Sequence, residues 1–457
     1  MKNRLFCLAL MLLSEPVVAL NLQDAYALAL RNDATFHAAI KEREAGHENL
    51  AIGRAALLPK VSYAYNNARN ESQVTSQTVA GDVTSNRDYR SYSSSLTLQQ
   101  PLLDYGAWAS YREGEAKALL ADERFRGKSQ ELLVRLFQAY SEALLAGEQI
   151  SLAEAQRHAY AERLQLNRRL FEEGEGTRTD MLETQARHDL ALTSEIDARD
   201  TLDVALRELQ AIVGEPLALQ DLTPLRDGFV VQPLQPMGFV AWRDLALSEN
   251  AELAAQRHAL SVAEQQREQR RASHLPTLSL YASTRLTNSD SESSYNQKYD
   301  TDSVGIQLSL PLFAGGGAAA STRQASRQYE QASYELDAQI SVTLNELRKH
   351  YNLCLSSAAK LRAYELAVAS ASTLVDATRK SVTAGERVNL DVLDAVQQLH
   401  GARRDLAEVR YAYLRSWLQL RQLAGQLHER DLRHLAQYFS QLPSMAADNS
   451  TEADSHL

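Results

Sequence analysis

Apolar positions along this chain follow two periods, one helical and one of strands. From Asn21 to Gly53 they recur at helical spacing, with Leu22, Tyr26, Leu30, Ala34, Ala38 and Ala45 on one stripe. Leu57-Leu58-Pro59 ends that stretch, and Val61, Tyr63 and Tyr65 then alternate with small or polar residues, a strand signal. Asn66 to Arg90 is rich in Ser, Thr, Asn and Gln and reads as a long solvated loop. Alternation resumes with Tyr92, Ser94, Leu96 and Leu98 and stops at Pro101. Tyr105 to Phe171 is then helical without a proline, about 67 residues or roughly 100 Å at the helical rise. A turn at Gly174 leads into a helix from Asp180 to Val213, closed by Gly214 and Pro216.

The whole programme then runs a second time. A helix over Ala241 to Arg271 is followed by Leu275-Pro276, the counterpart of Leu58-Pro59. Leu278, Leu280, Ala282 and Thr284 mark one strand; Val304, Ile306, Leu308 and Leu310 mark the next, ended by Pro311. Between them Asn288 to Asp302 reads as a second polar loop. Gly315-Gly316-Gly317 turns into an unbroken helix to Thr383, the Gly385 tip follows, and a last helix spans Leu390 to Leu427. Pro101 answers Pro311, Gly174 answers Gly385, Asp180 answers Asp391 and Gly214 answers Gly425, as a tandem duplication requires. The expected organisation is a signal peptide over 1–19 and a first repeat over 20–216, with strands near 60–66 and 91–100. A Pro-rich linker over 217–240 precedes a second repeat over 241–430, with strands near 277–286 and 303–310. A C-terminal tail over 431–457 is expected to be partly disordered.

The helices are built to pack lengthwise. In the last one Val392, Leu399, Leu406, Tyr413 and Leu420 recur every seventh residue, with Ala395, Ala402, Val409 and Ser416 on the adjoining seam. A sustained seven-residue period implies left-handed coiled-coil packing. Each half has one long helix and two of about half its length, so two short helices laid end to end match one long one.

Composition narrows the class. The chain carries 58 Asp plus Glu against 48 Lys plus Arg and no basic run, which argues against a nucleic-acid partner. Lys2 and Arg4, the apolar run Leu5–Leu13 and Val17-Val18-Ala19 read as an export signal, and Cys7 lies inside it without the context of a lipid anchor. Cys354 is then the single remaining cysteine, so no internal disulfide is expected. No later stretch reaches the roughly 18 uninterrupted apolar residues of a membrane helix. An exported chain of this kind either stays outside the bilayer or crosses it by strands. Strands cross only as a closed barrel of about eight or more. Four strands per chain therefore require copies: two would give a small filled barrel, three would give twelve strands and room for a channel.

The two tips carry the candidate chemistry. Gly174-Glu175-Gly176-Thr177-Arg178-Thr179-Asp180 and Gly385-Glu386-Arg387-Val388-Asn389-Leu390-Asp391 each combine a helix-stopping Gly, a polar turn and an Asp opening the next helix. Asp391 and Asp394 share one helical face, as do Asp180 and Glu183. The ordinary reading of such carboxylates is favourable placement at a helix N-terminus. Other constellations fall away. Gly315–Gly317 lacks the lysine of a phosphate-binding loop, His350 and Cys354 have no further ligand beside them, and no HExxH or nucleophile elbow occurs. Neither an enzyme, a cofactor nor a metal site is expected.

With its duplicated helix-strand-strand-helix plan, the sequence resembles the TolC-like outer-membrane channel family across residues 21–430. The resemblance rests most on His274-Leu275-Pro276-Thr277-Leu278, on Ser309-Leu310-Pro311-Leu312-Phe313 with its trailing glycines, and on Gly385 to Ala395. It implies a mainly α chain that, as a homotrimer, completes a 12-stranded barrel in outer-membrane lipid and a long coiled-coil helical barrel across the periplasm. It implies Asp391 and Asp394 at the narrowest ring of the tunnel, a constriction that attracts cations. Arg387 falls on the arginine of the family's closed-tip network, with Thr179 and Asp180 on its partners. The tyrosine of that network is Val382 here. The implied partners are a periplasmic adaptor and an inner-membrane transporter, of ABC type in the type I protein secretion branch, which the tip resembles most. The alternatives are the exit duct of a multidrug efflux pump and, from another class, a soluble periplasmic coiled-coil scaffold.

Overall fold

The computed structural model describes residues 20–226, 229–289, 294 and 296–439; the expected signal peptide and the tail beyond 439 lie outside them. The first repeat comprises α1 (Leu22–Asn32), α2 (Ala34–Ala55), β1 (Lys60–Thr78), β2 (Gly81–Leu103), α3 (Tyr105–Glu172) and α4 (Arg178–Val213). The second comprises α5 (Phe239–Glu249), α6 (Ala251–Ala272), β3 (Thr277–Asn288), β4 (Lys298–Ser309), α7 (Gly317–Thr383) and α8 (Asn389–Leu423), followed by α9 (Glu429–Ala436). The chain divides into two compact units. One is Met1–Ala39, Gly127–Asn250 and Val342–Leu457; the other is Ile40–Arg126 and Ala251–Ser341.

Each repeat opens with two helices where the periodicity suggests one. Asp33 breaks the first pair: its backbone is extended, its carboxylate accepts from the Phe36 N–H at 2.6 Å, and Arg135 Nη2 donates to it at 3.0 Å. Asn250 breaks the second pair with the same extended backbone. Both breaks meet the end of another helix. Asn32 Nδ2 donates to the Val213 carbonyl at 2.7 Å, and Asn250 Nδ2 to the Leu423 carbonyl at 2.9 Å, satisfying carbonyls that a helix end leaves free. The left-handed Gly214 and Gly425 follow those carbonyls, at φ 79° and 70°.

The largest core lies in the first unit. Leu132, Leu136, Phe137 and Tyr140 of α3 pack with Leu209 of α4, Trp242 of α5, Leu347 of α7, Leu414 and Leu418 of α8 and Leu432 of α9. The segment between the repeats packs on this core: Leu222 and Phe229 are buried, and Tyr140 Oη accepts from the Thr223 N–H at 2.9 Å. Helix α9 falls within residues read from the sequence as the last repeat and its tail, and it buries Asp431, Leu432 and Leu435. The heptad positions Val392, Leu399, Tyr413 and Leu420 are buried, as that pattern requires.

The second unit holds one antiparallel sheet in the order β1-β2-β3-β4, so the two repeats are joined through β2 and β3. The stretch 66–90, read from sequence as a loop, is mostly strand: β1 and β2 pair continuously from Lys60↔Gln99 to Thr78↔Gly81, leaving Val79 and Ala80 as the turn. Part of 288–302 is likewise strand, since β4 begins at Lys298. The reason is chemical. Both faces of the outer part of this hairpin are polar, so no hydrophobic alternation marks it, and main-chain pairing alone carries it.

Nearer the helices the two faces differ. Cross-strand pairing puts Val61 with Leu98, Tyr63 with Leu96, Leu98 with Ala282, Ala282 with Val304, Leu280 with Ile306 and Leu278 with Leu308. Paired residues point to the same side, so these form one apolar face. Ser62, Thr97, Ser283, Ser303 and Gln307 lie on the other. Among the described residues the apolar face has no core against it, with Val61 63%, Val304 78%, Ile306 65% and Leu308 68% exposed. Strands β1 and β4 are each paired on one side among the described residues.

Candidate gate at the helical tips

Both tip turns are built alike, and both lie in the first unit. Gly174 and Gly385 take φ of 80° and 77°, a conformation that side chains disfavour. Glu175 N–H donates to the Leu170 carbonyl at 2.8 Å and Glu386 N–H to the Ser381 carbonyl at 2.9 Å. These are the long closing bonds of a Schellman stop, so the glycines end α3 and α7 in the same way. The restart differs. Thr177 caps α4 by accepting from the Asp180 N–H at 3.1 Å, and its hydroxyl donates to Asp180 Oδ2 at 2.6 Å. At the matching position α8 has Val388, which cannot cap; instead Asp391 Oδ2 accepts from the Val388 N–H at 3.4 Å.

Beneath the turns sits a small apolar cluster: Tyr160, Ala191, Ala371, Val375, Val392, Leu393, Ala395, Val396 and Leu399. Val382 packs against it. Beside the cluster runs a buried polar chain that the sequence did not announce. Asn167 Nδ2 donates to Thr184 Oγ1 at 2.8 Å, Asn389 Nδ2 donates to the same oxygen at 3.0 Å, and that hydroxyl donates to the Asp180 carbonyl at 2.7 Å. Arg163 Nε closes on Asn389 Oδ1. Burial, together with Arg379, holds the Arg163 pKa below its ordinary value, with Asp180 opposing. Tyr160 Oη donates to the Leu393 carbonyl at 3.3 Å. These bonds join α3, α4 and α8, and the buried Asn167 and Asn389 amides keep their Thr184 partner only while the three helices stay packed.

The expected site residues fall into two groups. Asp180 bonds to the Thr177 cap of its own helix, Asp391 caps its own, and Asp394 is held by Arg187 Nη2 at 2.8 Å. Thr179 and Arg387 are exposed, and among the described residues the chain brings Arg387 to neither Thr179 nor Asp180. Arg187 was not singled out from the sequence. It lies four residues after Glu183, which a helix alone would read as an intrahelical pair; the fold sends its guanidinium to α8 instead.

A sheet with a bare apolar face, carried on the same chain as long helices, fits the class of outer-membrane channel proteins. The comparisons agree. The outer membrane efflux protein family matches residues 25–215 and 242–426. The alkaline protease secretion protein AprF of Pseudomonas aeruginosa is 56% identical over 449 residues, covering 98% of this chain and 93% of that one. The proteases secretion protein PrtF of Dickeya chrysanthemi is 50% identical over 426 residues, covering 93% and 92%. In fold, the crystal structure of the outer membrane protein VceC of Vibrio cholerae superposes with a TM-score of 0.74 at 16% identity, covering 88% and 96%. The chain belongs to the outer membrane efflux protein family, a family of outer-membrane channels and not of enzymes.

Proposed function

We propose that this protein is the outer-membrane exit duct of a protein secretion system, working as a trimer. The sheet carries the reading. Its apolar face needs lipid, and its two edges leave backbone groups that hydrocarbon cannot satisfy. Three copies, each pairing β4 with a neighbour's β1, would close a twelve-stranded barrel with the Ser, Thr and Gln face turned inward. A soluble scaffold would have to cover that face, and nothing in the second unit does so among the described residues.

The protein substrate is inferred from the two protease secretion proteins at 56% and 50% identity. Energy would come from an inner-membrane transporter of ABC type through a periplasmic adaptor, since the chain has no enzymatic constellation of its own. At the tips, three copies would gather Asp391 and Asp394 around one axis as a cation-attracting constriction. Arg387, with no partner among the described residues, would meet Thr179 and Asp180 of a neighbouring copy. A deletion strain tests the substrate class: export of the protein passenger is expected to stop, with drug sensitivity unchanged. Intact protein export with heightened drug sensitivity would favour the efflux alternative.

A further inference from the structure

Asp394 is not a bare carboxylate in the folded chain. Arg187 of α4 donates to Asp394 Oδ1 from Nη2 at 2.8 Å, and its Nη1 donates to Gln397 Oε1 on α8. The Arg187 side chain is 31% exposed and that of Asp394 58%, so the pair is open to water on the aspartate side. Asp391 has no such counter-charge; among the described residues its carboxylate accepts from its own helix alone, at the Val388 N–H. One guanidinium against two carboxylates leaves a single net negative charge per chain at this level. Gripping both Asp394 and Gln397 also ties α8 to α4 near the buried Asn167, Thr184 and Asn389 chain.

We propose that Arg187 sets the charge of the constriction, masking Asp394 while α4 and α8 are packed and uncovering it when they part. This rests on the reading of Asp391 and Asp394 as the constriction. An exposed ion pair adds little to stability, so the role lies in charge and in helix coupling. Arg187 would also supply, within one protomer, a tie that Val382 cannot make through a hydroxyl. A cation entering the closed tip competes with the guanidinium for Asp394 and meets Asp391 unopposed. Once the helices separate, both carboxylates face the passage.

Single-channel current through the purified full-length protein in planar bilayers, titrated with lanthanum(III), tests this. Arg187→Gln is expected to lower the half-blocking concentration at least about fivefold, the step that a single pair of unit charges near water would give, and to raise closed-state conductance. Arg187→Lys keeps the charge but not the double grip, so block should stay near wild type while conductance still rises. In an Asp394→Asn background, Arg187→Gln should no longer change the block. Unchanged block in Arg187→Gln, or a shift of equal size with and without Asp394, would overturn the role of Arg187 while leaving the constriction standing. A wild-type channel insensitive to lanthanum would overturn the constriction itself, and this inference with it.

Discussion

Gly385 and Gly425 separate two reasons for a glycine. At Gly385, φ is 77° and an added Cβ would meet nothing within 4 Å; at Gly425, φ is 70° and the Cβ would fall 2.1 Å from the Glu249 carbonyl oxygen. Gly385→Ala should therefore cost about 1 kcal/mol of left-handed strain. Gly425→Ala must in addition push backbone apart and should cost clearly more. Urea melts of the two variants in detergent check this, and equal losses would contradict it. His350 supplies a pH test. Burial first, then Lys349, holds its pKa below the ordinary value, with Glu346 opposing. The folded chain thus binds fewer protons there than the unfolded chain. The stability this gives is present above about pH 6.5 and is lost as pH falls through the depressed value. His350→Leu should flatten the loss between about pH 7.5 and about pH 5.5, measured by the same melts; an unaltered slope would refute it. At this scale the tip glycines and Asp391 could be read directly, because a helix stop and start are local events. Arg187 could not, because its partner lies 207 positions away and depends on which helices become neighbours.

At the scale of elements, the heptad stripe of α8 and the apolar parts of the strands were legible because burial, or contact with lipid, writes a period into the sequence. The breaks at Asp33 and Asn250 were not: each is fixed by the helix end it meets, at Val213 and Leu423, and the apolar stripe runs on through them. The outer hairpin hid for the opposite reason, being paired but polar on both faces. Two predictions belong here. On the apolar face, Ile306→Arg should cost about 2 to 4 kcal/mol if it sits at the middle of the bilayer, whereas Gln307→Arg on the other face should be tolerated. Recovery of assembled protein from outer-membrane fractions reads the difference; equal recovery would contradict the assignment of faces. Within the tip, Thr184→Val removes the hydroxyl shared by Asn167 and Asn389. About 2 kcal/mol should be lost through the buried amides left short of a partner, and closed-state conductance should rise as α4 and α8 loosen. Unaltered stability and conductance would show that the polar chain does not hold the tip.

For the whole molecule, duplication explains why one plan appears twice with different tips. The first keeps Gly176 and Thr177 where the second has Arg387 and Val388, so the repeats share a scaffold while their end chemistry has diverged. The duplication and the shortage of strands were both visible in the sequence; the pairing of β2 with β3 that makes one sheet of two repeats was seen only in the fold. That sheet, apolar on one side and open at β1 and β4, is the physical basis of the functional reading. The most direct test is the subunit count and symmetry of the detergent-purified particle by electron cryomicroscopy. Three chains around one axis, with twelve strands closed by β4-to-β1 pairing between neighbours, is the predicted result. A particle that is a stable single chain in water without detergent would contradict it.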